Sequence, residues 1–196
     1  MLQVVWRVEA LALPPLLLPC PRCARTSSFT CTERSRVNAN GGRLDVWLLY
    51  QCLACAETHK QRVLRRVRVA DLSRELLESY QGDEPALVRR CAFAAGRGVE
   101  VVHRVVRPAL PEAGTLLARI EQAEPCGARW DRLLARELAW PRSRSTREVE
   151  RGNVRVNGAA ELRRTVVDGD LLALSLSAPA GTALPEGVRD SSRAPR

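Results

Sequence analysis

Two CxxC pairs, Cys20-Pro21-Arg22-Cys23 and Cys52-Leu53-Ala54-Cys55, stand 28 residues apart and constrain this chain more than any other feature. Each turn can aim two thiolates at one ion about 2.3 Å away, and two turns close a tetrahedral site of four sulfurs. The segment between must fold back on itself to bring the turns together, and it reads as a hairpin. Ser28 to Val37 is one strand, Asn38-Ala39-Asn40-Gly41-Gly42 is a turn rich in residues that accept positive φ, and Leu44 to Tyr50 runs into Cys52. That is the layout of a zinc ribbon. A closed four-cysteine site has no open coordination position, so Cys20, Cys23, Cys52 and Cys55 are read as ligands of a structural zinc. The alternatives are iron, a redox pair or four buried thiols. Zinc is preferred because Ala24 and Ala56 stand where iron knuckles commonly carry Gly, and because no thioredoxin-like pattern surrounds either pair. Cys31, Cys91 and Cys126 lack a CxxC partner and read as core or half-buried thiols. His59 reads as a loop residue rather than a spare ligand.

Compartment and partners come from composition. The early apolar run is interrupted by Arg7, Glu9, Pro14 and Pro15, so neither a signal peptide nor a lipoprotein anchor is expected, and no stretch is long and apolar enough for a membrane helix. A cytoplasmic setting is expected, where metal binding suits unpaired cysteines better than disulfides do. The 196 residues carry 31 cations and 22 acids, a net charge of +9 that favours polyanionic partners. All the cations except Lys60 are arginines, so part of this excess reflects coding bias. Aromatics make up 4%, which argues against surfaces that stack single-stranded bases.

Residues 1–60 form the ribbon part and residues 61–127 a middle region packing on it. Residues 128–178 form a C-terminal module, and 179–196 a tail too poor in apolar residues to order. Arg62, Arg65, Arg66 and Arg68 read as a solvated strand face in preference to an RNA contact, because acids follow closely. In the middle region, helices are expected over Asp71–Tyr80 and Asp83–Ala95, each capped by its first Asp. Strands follow over Val99–Val106 and 115–121. The C-terminal module reads as two short helices (Trp130–Leu138, then a second after Pro141 with Gly152 as its stop), a strand ending in Asn157-Gly158, and a last strand after Asp168-Gly169-Asp170.

Two resemblances follow from these residues. The stretch Arg36-Val37-Asn38-Ala39-Asn40-Gly41 with Leu44-Asp45-Val46-Trp47-Leu48-Leu49-Tyr50-Gln51-Cys52 resembles the bacterial domain-of-unknown-function family 1062, over residues 1 to about 176. It departs at Glu57-Thr58-His59-Lys60, where a Trp-Asn pair is expected. The family brings no activity with it. The C-terminal module resembles the S-four, or α-L, RNA-binding domain of a small-subunit ribosomal protein, tyrosyl-tRNA synthetase and pseudouridine synthases. Arg142-Ser143, Arg147, Gly152, Val154, Val156-Asn157-Gly158 and Asp168-Gly169-Asp170 fall on its motif, while Pro141 and Glu148 depart from it. That likeness implies RNA-phosphate contacts from Arg142, Arg144, Arg147, Arg151 and Arg155, whose planar forks suit phosphate oxygens.

The expectation is therefore an α+β protein, a zinc-ribbon-containing domain with four cysteine ligands followed by a small α-L module. Its expected role is to bind structured RNA (rRNA, tRNA or a ribosomal particle) without catalysis. The alternative is a protein-docking module with structural zinc. Gly42-Arg43-Leu44-Asp45 matches the core of a pseudouridine synthase motif, but it leads into a metal ligand, so an RNA-modifying enzyme is the minor alternative.

Overall fold

The computed structural model describes residues 1–177, apart from the Arg142 side chain; the tail expected to lack order lies outside the described residues. The fold is mixed α+β, with four helices and two sheets among the described residues.

The smaller sheet is an antiparallel meander of β2 (Leu16–Cys20), β3 (Arg25–Asn40), β4 (Arg43–Cys52) and β5 (Thr58–Arg68). Gly41 and Gly42 turn β3 into β4, both at positive φ, as a two-residue hairpin of type I′ requires. Strict alternation along β4 buries Leu44, Val46, Leu48, Tyr50 and Cys52 and leaves Arg43, Asp45, Trp47, Leu49 and Gln51 on the other face. The buried face is covered by α1 (Arg74–Gln81) and α2 (Pro85–Ala95), through Tyr80, Leu87, Val88 and Ala92.

The caps differ from the expected ones. Asp71 closes a short 3-10 turn, and Ser73 caps α1 by accepting the Leu76 N–H at 3.2 Å. Glu84 caps α2, accepting the N–H groups of Ala86 and Leu87. Asp83, freed from that role, stands at positive φ and reaches across to β3, accepting the Ser35 N–H at 2.5 Å and pairing with Arg34 at 3.1 Å. It pins the bulge between Cys31 and Ser35.

The larger sheet runs β6 (His103–Val106), β1 (Leu2–Ala10), β7 (Gly114–Glu121), β9 (Leu171–Leu176), β8 (Val154–Val156). The first strand thus leaves the cysteine-bearing segment. It lies between β6 and β7, both from the middle segment, antiparallel to the first and parallel to the second. Its burial alternation gives the reason, because Trp6, Val8 and Ala10 complete the core that Leu116, Ala118 and Ile120 begin on β7. The helices α3 (Trp130–Glu137) and α4 (Arg142–Glu150) belong to this half, and α3 buries Trp130, Leu133 and Leu134 against the sheet. Between the sheets, α2 turns Phe93 to the large core and Val88 and Ala92 to the small one. Arg89 ties α2 to the large half by pairing with Glu124 at 2.5 Å and donating to the Ala10 carbonyl at 2.7 Å.

Candidate metal centre and basic surfaces

The hairpin β3–β4 brings the two cysteine turns face to face. The sulfurs of Cys20, Cys23, Cys52 and Cys55 all lie within 4.8 Å of one another. Cys20 Sγ is 3.5 Å from Cys55 Sγ, and Cys23 Sγ is 3.8 Å from Cys52 Sγ. Those spacings are far too long for disulfides, and all four thiols are free. They match a tetrahedron of sulfurs around one ion, whose edge is about 3.8 Å for metal–sulfur bonds of about 2.3 Å. The four cysteines can therefore hold a metal ion.

Both turns are knuckles built on the backbone. The Ala56 N–H donates to the Cys52 carbonyl at 2.9 Å, the Cys52 N–H to the Glu57 carbonyl at 2.9 Å, and the Cys23 N–H to Cys20 Sγ at 3.4 Å. Ala24 and Ala56 follow the second cysteine of each pair and adopt positive φ, 53° and 59°. The turn geometry that favours Gly is thus present with Ala in its place, so the missing Gly does not separate one metal from another. Burial disfavours a thiolate at Cys52, yet the N–H groups of Ala54 and Cys55 point at its sulfur and bring it down to about 6. Cys55 receives the Glu57 N–H, but burial and the sulfurs of Cys23, Cys20 and Cys52 push it up to about 12. Four thiolates this close repel one another, and a dication is what lets them ionise together.

The remaining cysteines stand apart from this cluster. Cys126 is buried, while Cys31 and Cys91 pack half-buried beneath the small sheet, and burial raises all three thiols. His59 rests edge-on against Phe29, ring centres 5.9 Å apart. Asp45, from the Gly-Arg-Leu-Asp sequence, accepts the Arg66 N–H at 3.1 Å across a bulge in β5.

The arginines singled out on the C-terminal half occupy both ends of α4. Pro141 precedes the helix and offers no side-chain cap, and the Arg142 side chain lies outside the described residues. The Arg144 guanidinium lies 4.8 Å from the centre of the Trp140 ring, and Arg147 Nε donates to the Ser143 carbonyl at 3.3 Å. Arg151 pairs with Glu148 at 3.2 Å at the other end. Arg155, on β8, packs over Gly152, where an added Cβ would meet its guanidinium at 3.3 Å. Arg155 thus joins Arg151 rather than the arginines at the helix start. All four described side chains are exposed.

The Asn-Gly and Asp-Gly-Asp sequences have internal work. Asp170 is 5% exposed and accepts from Trp130 Nε1 at 2.9 Å, Asn157 Nδ2 at 2.8 Å and the Val167 N–H at 3.0 Å, and it pairs with Arg164. Asn157 stands at positive φ and accepts the Leu171 N–H at 2.8 Å. Asp168 accepts the Gln122 N–H at 2.8 Å. These residues lock α3, β8 and β9 together, a role the sequence motif did not separate from binding.

A family model described as "Protein of unknown function (DUF1062)" matches residues 37–160, more than half of the chain. The chain belongs to this family. The DUF1062 match begins within β3 and runs past β8, so it spans the second cysteine turn and both helical pairs. No curated protein and no solved structure matches the chain.

Proposed function

We propose that this DUF1062 protein is a zinc-stabilised, non-catalytic, cytoplasmic protein that binds structured RNA, such as rRNA, tRNA or a ribosomal particle, through an S-four-like module around α4. What carries the reading is the start of α4, a helix N-terminus that no side chain caps, beside which Arg144 and Arg147 stand exposed. Such an end attracts phosphate through its unpaired donors and dipole, and arginines add charge-assisted bonds. Zinc is the metal because a closed thiolate quartet suits it, and its task is stability.

Binding that meets five phosphates falls with salt at a log–log slope on the order of −4. Replacing Arg142, Arg144 and Arg147 with Glu removes binding to folded tRNA and rRNA fragments and flattens that slope, while metal content stays at one zinc per chain. A red, iron-bearing protein defeats the zinc assignment. Equal affinity and equal slope for wild type and triple variant defeat the RNA assignment. The second reading, a protein-docking module, draws on Arg151 being held by Glu148 and Arg147 being turned back to Ser143; a single partner retained after nuclease treatment supports it.

A further inference from the structure

The outer face of the four-stranded sheet gathers residues that sequence order keeps apart. Residues 25–68 carry nine cations against three acids. All nine are exposed and the helices cover only the inner face, although Arg34 and Arg68 are paired with Asp83 and Asp71. Pairing puts Arg36 of β3 opposite Trp47 of β4, and Trp47 opposite Arg62 of β5. One row across the sheet thus reads Arg, Trp, Arg over about 10 Å. The next rows put Leu49 beside Lys60 and Arg43 beside Arg68.

Three observations separate this face from an ordinary solvated strand. First, among the described residues, the side chains of Arg36, Lys60 and Arg62 make no ion pair or hydrogen bond. Second, Asp45, the acid on the outward side of β4, is engaged with the Arg66 backbone N–H. Third, Trp47 is half-buried, whereas Trp6, Trp130 and Trp140 are buried, and no cation rests on its ring among the described residues. A half-buried indole with no cation on its ring, set between two guanidinium groups unpaired among the described residues, fits a base flanked by phosphates.

We propose that this face binds single-stranded RNA, with Trp47 stacking a base and Arg36 and Arg62 holding the phosphates on either side. The preference for RNA over DNA rests on the reading of α4; the face itself does not.

The test uses the full-length zinc-loaded protein and a labelled oligouridylate of twelve nucleotides. In wild type, binding quenches tryptophan fluorescence, because Trp47 is the accessible indole. Replacing Arg36 and Arg62 together with Gln weakens binding at least tenfold and makes the log–log salt slope shallower by about 1.4, the share of two phosphates on a single strand. Trp47→Ala weakens it about tenfold with the slope unchanged, and Trp47→Phe restores most of the loss. Zinc content and far-ultraviolet dichroism stay as in wild type, and the Phe variant serves if the Gln pair disturbs the sheet. The Glu triple variant of α4 keeps oligouridylate while losing folded tRNA. Loss of tRNA binding by neither set, with oligouridylate lost only by the sheet variants, removes the α4 reading alone. Unchanged affinity in the sheet variants overturns this proposal. So does heparin binding equal to that of oligouridylate with Trp47→Ala silent, which marks a generic polyanion face. Binding of oligothymidylate without oligouridylate overturns the choice of RNA.

Discussion

The two sheets solve the same problem by opposite means. The five-stranded sheet draws strands from both ends of the described chain and buries a cluster of twenty residues, including Trp6, Trp130 and Trp140. The four-stranded sheet is one continuous meander whose buried clusters hold eight and four residues. A core that small is marginal, and a metal ion held by the cysteine quartet would cross-link it between the β2–β3 and β4–β5 turns. Their charges differ in the same way. In the large half Arg107, Arg129, Arg132 and Arg164 are paired with carboxylates, whereas the outer face of the small sheet leaves Arg36, Lys60 and Arg62 without partners among the described residues. The paired arginines of the large half serve cohesion, while its exposed α4 arginines and the outer row of the small sheet face solvent.

The largest expected effect separates the halves by metal. Chelation, or Cys52→Ser, removes the order of β2 to β5 and α1, while the environments of Trp130 and Trp6 persist. Hydrogen exchange read segment by segment checks it, and uniform loss across both sheets breaks the comparison. Cys31→Ser costs less than about 1 kcal/mol, since it removes no ligand.

The next effect lies in the large half. Asp170→Ala leaves Arg164, the Trp130 N–H and Asn157 without their acceptor and costs about 3–5 kcal/mol in urea unfolding, with metal content unchanged. Its pH dependence follows from the same site. Burial opposes the Asp170 carboxylate, but Arg164 and the N–H groups of Trp130, Val167 and Asn157 hold it below the usual range. A depressed carboxyl contributes stability that is complete above its unfolded value of about 3.9 and is lost as pH falls through the folded value. Wild type therefore loses stability below about pH 4, and Asp170→Asn shows a shallower acid limb. An identical limb removes Asp170 as its source.

The smallest effect returns to the small sheet. Ala24→Gly and Ala56→Gly relieve a left-handed backbone that costs an L-residue about 1–2 kcal/mol, offset in part by the greater freedom of Gly when unfolded. Each raises stability by up to about 1 kcal/mol and slows metal loss to a chelator. A lower melting temperature in both variants shows that the knuckles do not need the relief.

The cysteine quartet and the Gly41–Gly42 turn were legible because metal spacing and positive φ are written locally. So was the alternation of β4. The long-range pairing was not. Nothing near Trp6 says that its strand lies beside β7, because its alternation fits any sheet with a buried face. The caps misled for a related reason: Asp71 and Asp83 are good cap residues, but Ser73 and Glu84 were within a few positions, and Asp83 met the β3 bulge instead. The basic sheet face was hidden by a boundary drawn after residue 60, which divides β5 and splits its charge between two segments. For the α4 arginines, periodicity located the helix but not the end each side chain would occupy, and of the five grouped as one phosphate site Arg155 lies at Gly152, away from the helix start.

The parallel pairing of β1 with β7 also sets an order of events during synthesis. β1 ends at Ala10 and β7 begins at Gly114. At roughly 5–20 residues per second, β1 waits several seconds or more for its neighbour. The meander, whose strands follow one another directly, is complete long before that, and metal capture can close it while β1 still exposes Trp6 and Val8. A fragment starting at residue 128 would carry α3, α4, β8 and β9 without the strands they rest on, so the arginines of α4 are best assayed in a chain that keeps its β1 strand.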